Sequence, residues 1–192
     1  MVTIGILIFP QVEELDFVGP FEVLSYVNKI QPSSTKVLLV TETVGPICAF
    51  NGMKVIPDTT LQDCPVLDIL IVPGGKGRFA AMKNIPFIEF IQQQMTTASY
   101  VTSVCTGALL LAEAGLLTGK KATTYHTAFS ELESYGVQVI SSKVVRDEKI
   151  ITAGGVSSGL ELGFYLLKQL FGSSLSQEVA RKIEYIVDVD SL

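Results

Sequence analysis

Three short apolar runs mark out the chain, at residues 2–8, 37–40 and 68–72. None shows polar alternation, so each reads as a central parallel strand covered on both faces. Between them lie stretches with helical character. Residues 21–29 form the first, with Pro20 in its first turn. Residues 87–95 place Phe87, Phe90, Ile91 and Met95 near helical spacing. Good helix formers fill 108–114 and stop at Gly115, and a more polar helix over 127–135 closes at Gly136. The longest helix, 157–171, carries Leu160, Phe164, Leu167 and Phe171 on one face, and an amphipathic segment follows at 175–185. Asn51-Gly52 is a strong hairpin-turn dipeptide within 45–57, a short connector or strand covers 119–124, and another short strand is expected at 137–140. Residues 143–152 read as strand–turn–strand around Asp147-Glu148. Buried strands alternating with helices predict one α/β domain over 1–192, a doubly wound, mainly parallel sheet with helices on both faces. The small β-hairpin insertion and the β-ribbon near Val145 are expected as decorations.

Composition narrows the function. Hydrophobic residues make up 48% and charged residues 17%, as a compact domain with a buried sheet requires. A net charge of -5 and the lack of any basic tract argue against nucleic acid. No apolar run approaches the roughly 18 residues that a membrane span needs. The first residues lack a basic n-region and a cleavage site, so they read as a strand rather than a leader. The cysteines are Cys48, Cys64 and Cys105, an odd number without regular spacing. Free thiols in a reducing, cytoplasmic compartment are expected. Zinc is not expected, because there is no Cys-x-x-Cys pair and His126 is the only histidine. Gly74-Gly75-Lys76-Gly77 lacks the Gly-Lys-Ser/Thr ending of a phosphate loop, and no Gly-x-Gly-x-x-Gly follows the first strand. The expectation is a small-molecule substrate with no metal and no organic cofactor.

The chemistry concentrates in residues 99–111. Tyr100 to Val104 suit a strand, and the chain turns at once into the helix that starts near Ala108. Ser103-Val104-Cys105-Thr106-Gly107 has the layout of a nucleophile elbow, with cysteine as the nucleophile and small residues two places either side. Cys105 is placed at the carboxyl edge of the sheet and at a helix N-terminus, where a thiolate is favoured. Gly74 and Gly75 end the neighbouring strand; a backbone N–H there, with that of Thr106, would suit an oxyanion. Asp16 follows the first strand among Leu15, Phe17 and Val18, so burial is expected to raise its pKa toward neutrality. Glu13 and Glu14 are expected to be solvated. His126 invites a Cys–His dyad, although a lone histidine is more often structural, and Cys48 and Cys64 lack any elbow context.

At these residues the chain resembles the ThiJ/PfpI superfamily over nearly its whole length. The anchors are Leu15-Asp16-Phe17-Val18-Gly19-Pro20, Val72-Pro73-Gly74-Gly75, Ser103-Val104-Cys105-Thr106-Gly107, Ala122-Thr123-Thr124 and the run from Val144 to Gly155. The resemblance implies a flavodoxin-like, class I glutamine-amidotransferase-type fold and a homodimer. Aspartate before Gly-Pro and Cys-Thr-Gly at the elbow look like the isonitrile (isocyanide) hydratases of the superfamily. That likeness implies Cys105 as nucleophile, Asp16 as its acid/base partner, Thr106 lining the site and Gly75 as an N–H donor. The reaction implied adds water to an isonitrile and yields an N-substituted formamide. Two departures matter. Peptidase and amidase members carry Cys-His at the elbow where this chain has Thr106, and many relatives have histidine after Thr-Thr where this chain has Tyr125. A glyoxalase, an amidase or peptidase, and a thiol-redox protein without turnover remain the alternatives. The sensor half of AraC-type regulators has the same motifs, but about 20 residues after 171 are too few for its DNA-binding pair.

Overall fold

The apolar runs lie side by side. A computed structural model describes residues 1–192. Its strands are β1 (Val2–Leu7), β2 (Thr35–Thr41), β3 (Ile47–Cys48), β4 (Lys54–Val55), β5 (Thr59–Thr60), β6 (Ile69–Val72), β7 (Tyr100–Val104), β8 (Lys121–Ala122), β9 (Gln138–Val139), β10 (Val144–Asp147) and β11 (Ile150–Ala153). The helices are α1 (Glu14–Tyr26), α2 (Arg78–Ala81), α3 (Ile85–Thr97), α4 (Gly107–Glu113), α5 (Phe129–Glu133), α6 (Ser158–Phe171) and α7 (Ser173–Lys182). Seven strands form one sheet in the order β10-β11-β7-β6-β1-β2-β5. All neighbours are parallel except β10, which pairs antiparallel with β11 at one edge. Helices α1, α6 and α7 pack together on one face, and α2, α3 and α5 pack about α4 on the other. The doubly wound, flavodoxin-like α/β architecture expected from the sequence is present.

The strand order places the site. From β1 the chain crosses to β2 on one side and later returns to β6 on the other, so the order reverses between β1 and β6. Such a switch point opens a crevice outside the carboxyl ends of the strands. Ile6 pairs with Ile71, and Val72 with Ser103. The loops after β1, β6 and β7 therefore emerge level with one another at that crevice.

Three local expectations need correction. The first helix begins at Glu14, not near residue 21, so Pro20 lies inside it. Proline cannot donate to the Asp16 carbonyl, a cost that propensity alone counts against a helix. Tertiary packing offsets it: α1 lies so close to α6 that a Cβ on Gly163 would stand 2.8 Å from Cβ of Val23. Second, β10 and β11 are not a decoration. β11 is a full parallel neighbour of β7, with Ala153 opposite Val104. Third, the polar helix expected over 127–135 shortens to a 3-10 turn at His126–Ala128 followed by α5. The hairpin insertion is β3–β4, which turns at Asn51-Gly52.

Candidate active site

Cys105 is the residue at which β7 becomes α4, and its φ of 56° lies in the left-handed region. A side-chain-bearing residue adopts that conformation only when its surroundings enforce it. Here the Cys105 N–H donates to the carbonyls of Ala153 (3.0 Å) and Gly154 (2.8 Å), and the Thr124 hydroxyl donates to the Cys105 carbonyl (2.8 Å). The strand beside β7 and the Thr123-Thr124 loop thus hold the elbow from both sides. The turn is tight enough that a Cβ on Gly107 would stand 2.0 Å from the Val72 carbonyl oxygen, which explains the small residue there.

Asp16 sits in the first turn of α1 and is wholly inaccessible to solvent. Its side chain does not cap its own helix but crosses to the loop after β6: the Gly74 N–H donates to Oδ2 at 2.9 Å. Oδ1 has no conventional partner, and the carboxyl lies within reach of the Cys105 sulfur. Burial pushes the Asp16 carboxyl up to about 7; the Gly74 N–H opposes the rise and the Glu13 charge adds to it. Burial, and then the charge of Asp16, push the Cys105 thiol up to about 12 against the N–H and hydroxyl of Thr106. The two groups titrate as a pair. Between those values the pair holds one proton. A freely ionised thiolate, as the helix N-terminus suggested, is therefore disfavoured; above about 7 the charge rests on the Asp16 carboxylate and the proton on sulfur.

The two glycines serve this pair. The Gly75 N–H donates to Oγ1 of Thr106 at 3.1 Å, which leaves the hydroxyl proton free to point at sulfur. The N–H groups of both Gly74 and Gly75, expected at an oxyanion position, are thus engaged by Asp16 and Thr106. The β1 and β6 loops are laced together: the Glu13 N–H donates to the Gly74 carbonyl (3.1 Å) and the Gly77 N–H to that of Gln11 (2.9 Å).

Cys105 opens into a cleft of about 370 Å³ walled by Glu13, Phe50, Gly75, Lys76, Arg78, Phe79, Thr106, Tyr125 and Val156. Phe50 and Phe79 are exposed at its mouth. Arg78 is buried and gripped by Glu131 through two bonds of 2.7 Å. His126 stands outside this cleft. With Tyr125 and Val156 it lines a wider neighbouring cleft of about 720 Å³, and the side chains that act on the Cys105 sulfur are those of Asp16 and Thr106. Cys48 and Cys64 also lie elsewhere, and no group of three His, Cys, Asp or Glu side chains is placed to hold a metal ion.

The sequence reading missed several wall residues. Glu13 was expected in solvent but reaches the cleft, and Glu14 is spent on the hairpin. Its carboxylate accepts from the backbone N–H and side-chain amide of Asn51, both at 2.7 Å. This contact holds Phe50 over the site. The available signal was the pairing of two acidic residues with an Asn-Gly turn, which nothing in the linear pattern connects.

A model of the DJ-1/PfpI family matches residues 2–169. The chain belongs to the DJ-1/PfpI family. Within it, the chain is 41% identical over 182 residues to an isonitrile hydratase from Pseudomonas putida, covering 95% of this chain and 78% of that one. A solved ThiJ/PfpI family protein from Pseudomonas syringae has the same fold, with a TM-score of 0.90 and 31% identity over 97% of this chain and 76% of that one. More distant is a glutathione-independent glyoxalase from Caenorhabditis elegans, 22% identical over 151 residues, covering 77% of this chain and 80% of that one. In this chain the strand-to-helix elbow has Cys105 at its apex and threonine at the next position.

Proposed function

We propose that this protein is a cofactor-free hydratase that adds water to an isonitrile, or to a similar small electrophile, and releases an N-substituted formamide. The observation that carries the reading is the Cys105–Asp16 pair, a buried thiol with a wholly buried carboxyl within reach of its sulfur, which holds one proton once pH exceeds about 7. Its similarity to the Pseudomonas putida isonitrile hydratase supports the choice of substrate class.

The chemistry follows from the pair. Sulfur bonds to the terminal carbon of the isonitrile while the shared proton passes to that carbon, which makes a thioimidate, Cys105–S–CH=N–R. Water then adds across the C=N bond. The resulting intermediate collapses by breaking its C–S bond; the electron pair and the hydroxyl proton return to the Cys105–Asp16 pair by way of the cleft-lining sulfur, and the formamide leaves. The pair ends with the one proton it began with. The hydroxyl of Thr106, held by Gly75, steadies the sulfur as charge builds on it. Phe50 and Phe79 give the cleft an apolar mouth that suits a hydrocarbon substituent on nitrogen.

The deciding experiment is formamide formation from simple aliphatic and aromatic isonitriles, followed by mass spectrometry. Cys105→Ala should abolish it and Asp16→Asn should slow it at least about a hundredfold. No formamide from any of them would remove the hydratase reading. Methylglyoxal run in parallel separates the second reading, a glyoxalase, which the Caenorhabditis elegans relative supports. The resemblance also supports a homodimer, which sedimentation would test, and the three free thiols support a reducing, cytoplasmic setting.

A further inference from the structure

Once the thioimidate has formed, the Cys105–Asp16 pair has given up its proton, and the second half of the reaction needs an activated water at the bound carbon. Asp16 is fully buried and forms no part of the open cleft wall. A water entering by the mouth instead meets Glu13, Lys76 and Arg78. The last two are cations with nothing to accept a proton. Glu13 is the one carboxylate on the wall. It is anchored through its N–H to the Gly74 carbonyl at 3.1 Å, and Oε1 accepts from the Asn51 side chain at 3.3 Å, so the carboxylate is held without being consumed.

We infer that Glu13 is a further catalytic residue, the base that delivers water to the thioimidate. The inference rests on the hydratase reading. Glu13 takes a proton from water as the oxygen bonds to the formimidoyl carbon. The C=N pair moves to nitrogen, and Glu13 returns the proton there. Glu13 is thus restored before the C–S bond breaks, and the hydroxyl proton remains for the Cys105–Asp16 pair. Partial burial, and then the neighbouring charge of Glu14, raise the proton affinity of Glu13, which suits a group that must take and return a proton. Two carboxyl groups divide the work: the buried one attends sulfur and the cleft one attends water.

The test is rapid-quench intact-mass analysis with benzyl isonitrile. Wild type should show little adduct. Glu13→Gln keeps the acceptor for Asn51; its lost charge bears only secondarily on Asp16, so it should form the Cys105 adduct within a few-fold of the wild-type rate and release formamide about a hundredfold more slowly. The adduct, heavier by one whole isonitrile, should accumulate. Glu13→Asp should recover part of the release rate. Wild-type release by Glu13→Gln overturns the assignment, and so does slow turnover without adduct, because the loss would then lie in the first step. A wild type that gives neither adduct nor formamide overturns the hydratase reading and this inference with it. Should Glu13→Gln fail to fold, Glu13→Asp carries the test, and equal slowing of both steps overturns the assignment.

Discussion

Replacing Asp16 by asparagine tests whether the buried carboxyl is charged at a cost. The two side chains have nearly the same shape, and asparagine keeps an oxygen to accept from the Gly74 N–H, now 2.9 Å from Oδ2. What changes is ionisation. In the fold the carboxyl is pushed from an ordinary 3.8 up to about 7, chiefly by burial. The sign is the reverse of the usual aspartate. The folded state binds this proton more tightly, so the stability linked to it is fully present below 3.8 and is lost as pH rises through 7. At about 1.36 kcal/mol per pH unit the whole window amounts to roughly 4 kcal/mol. Roughly 2.5 kcal/mol of it falls between pH 5 and pH 8. The asparagine variant has no such dependence. Urea unfolding of both proteins at the two pH values should show Asp16→Asn gaining about 2–3 kcal/mol on wild type as pH rises, equivalent to a relative gain in Tm of about 5–10 °C for a chain of this size. Costs that do not depend on pH, such as an unpaired amide hydrogen, cancel in that comparison. A gap between the two proteins that stays constant from pH 5 to pH 8 would refute the argument, as would one that moves the other way.

Other outcomes follow from the same geometry. Removing the Asp16 charge also removes an influence that raises the Cys105 thiol, so Asp16→Asn should alkylate faster with iodoacetamide at pH 8 while turnover collapses. Thr106→Val removes the hydroxyl that accepts from Gly75 and lowers the thiol; alkylation of Cys105 should slow and its pH midpoint rise. Gly107→Ala should lower stability by about 1–3 kcal/mol in urea, although helix propensity alone favours alanine by roughly 0.5–1 kcal/mol, because the new Cβ meets the Val72 carbonyl at 2.0 Å. Glu131→Ala leaves the guanidinium of Arg78, whose side chain is 9% exposed, without its partner, and should cost about 2–3 kcal/mol in a thermal or urea melt. Glu178→Ala, which breaks an exposed pair at 3.9 Å, should cost less than about 0.5 kcal/mol and serves as its control.

How far the site could be read along the chain depended on how local its cause is. The strand-to-helix break at Cys105 is a matter of adjacent residues: β-formers, a small residue on either side, then helix formers. It was legible, as were the buried parallel strands and the Asn51-Gly52 turn. The neutral-range pKa expected for Asp16 was also legible, from the apolar residues on either side of it. Its position inside α1 was not, because Pro20 argues for a later start and only the close contact of α1 with Gly163 on α6 outweighs it. The same holds for β11, which looks like half of a ribbon until it is seen beside β7.

The sequence alone determined the class of fold and the family, and it singled out Cys105 and Asp16 as the candidate nucleophile and carboxyl partner, since each rests on residue types at fixed short spacings. Tertiary structure decided what those groups do to one another. It took the N–H groups of Gly74 and Gly75 from the oxyanion position and gave them to Asp16 and Thr106. It shut Asp16 away from water, brought Glu13 to the cleft and left His126 outside it. Proton affinity depends on burial and on charges a few ångströms away. Those are set by which strand ends meet at the switch point of the sheet, and no spacing along the chain records them.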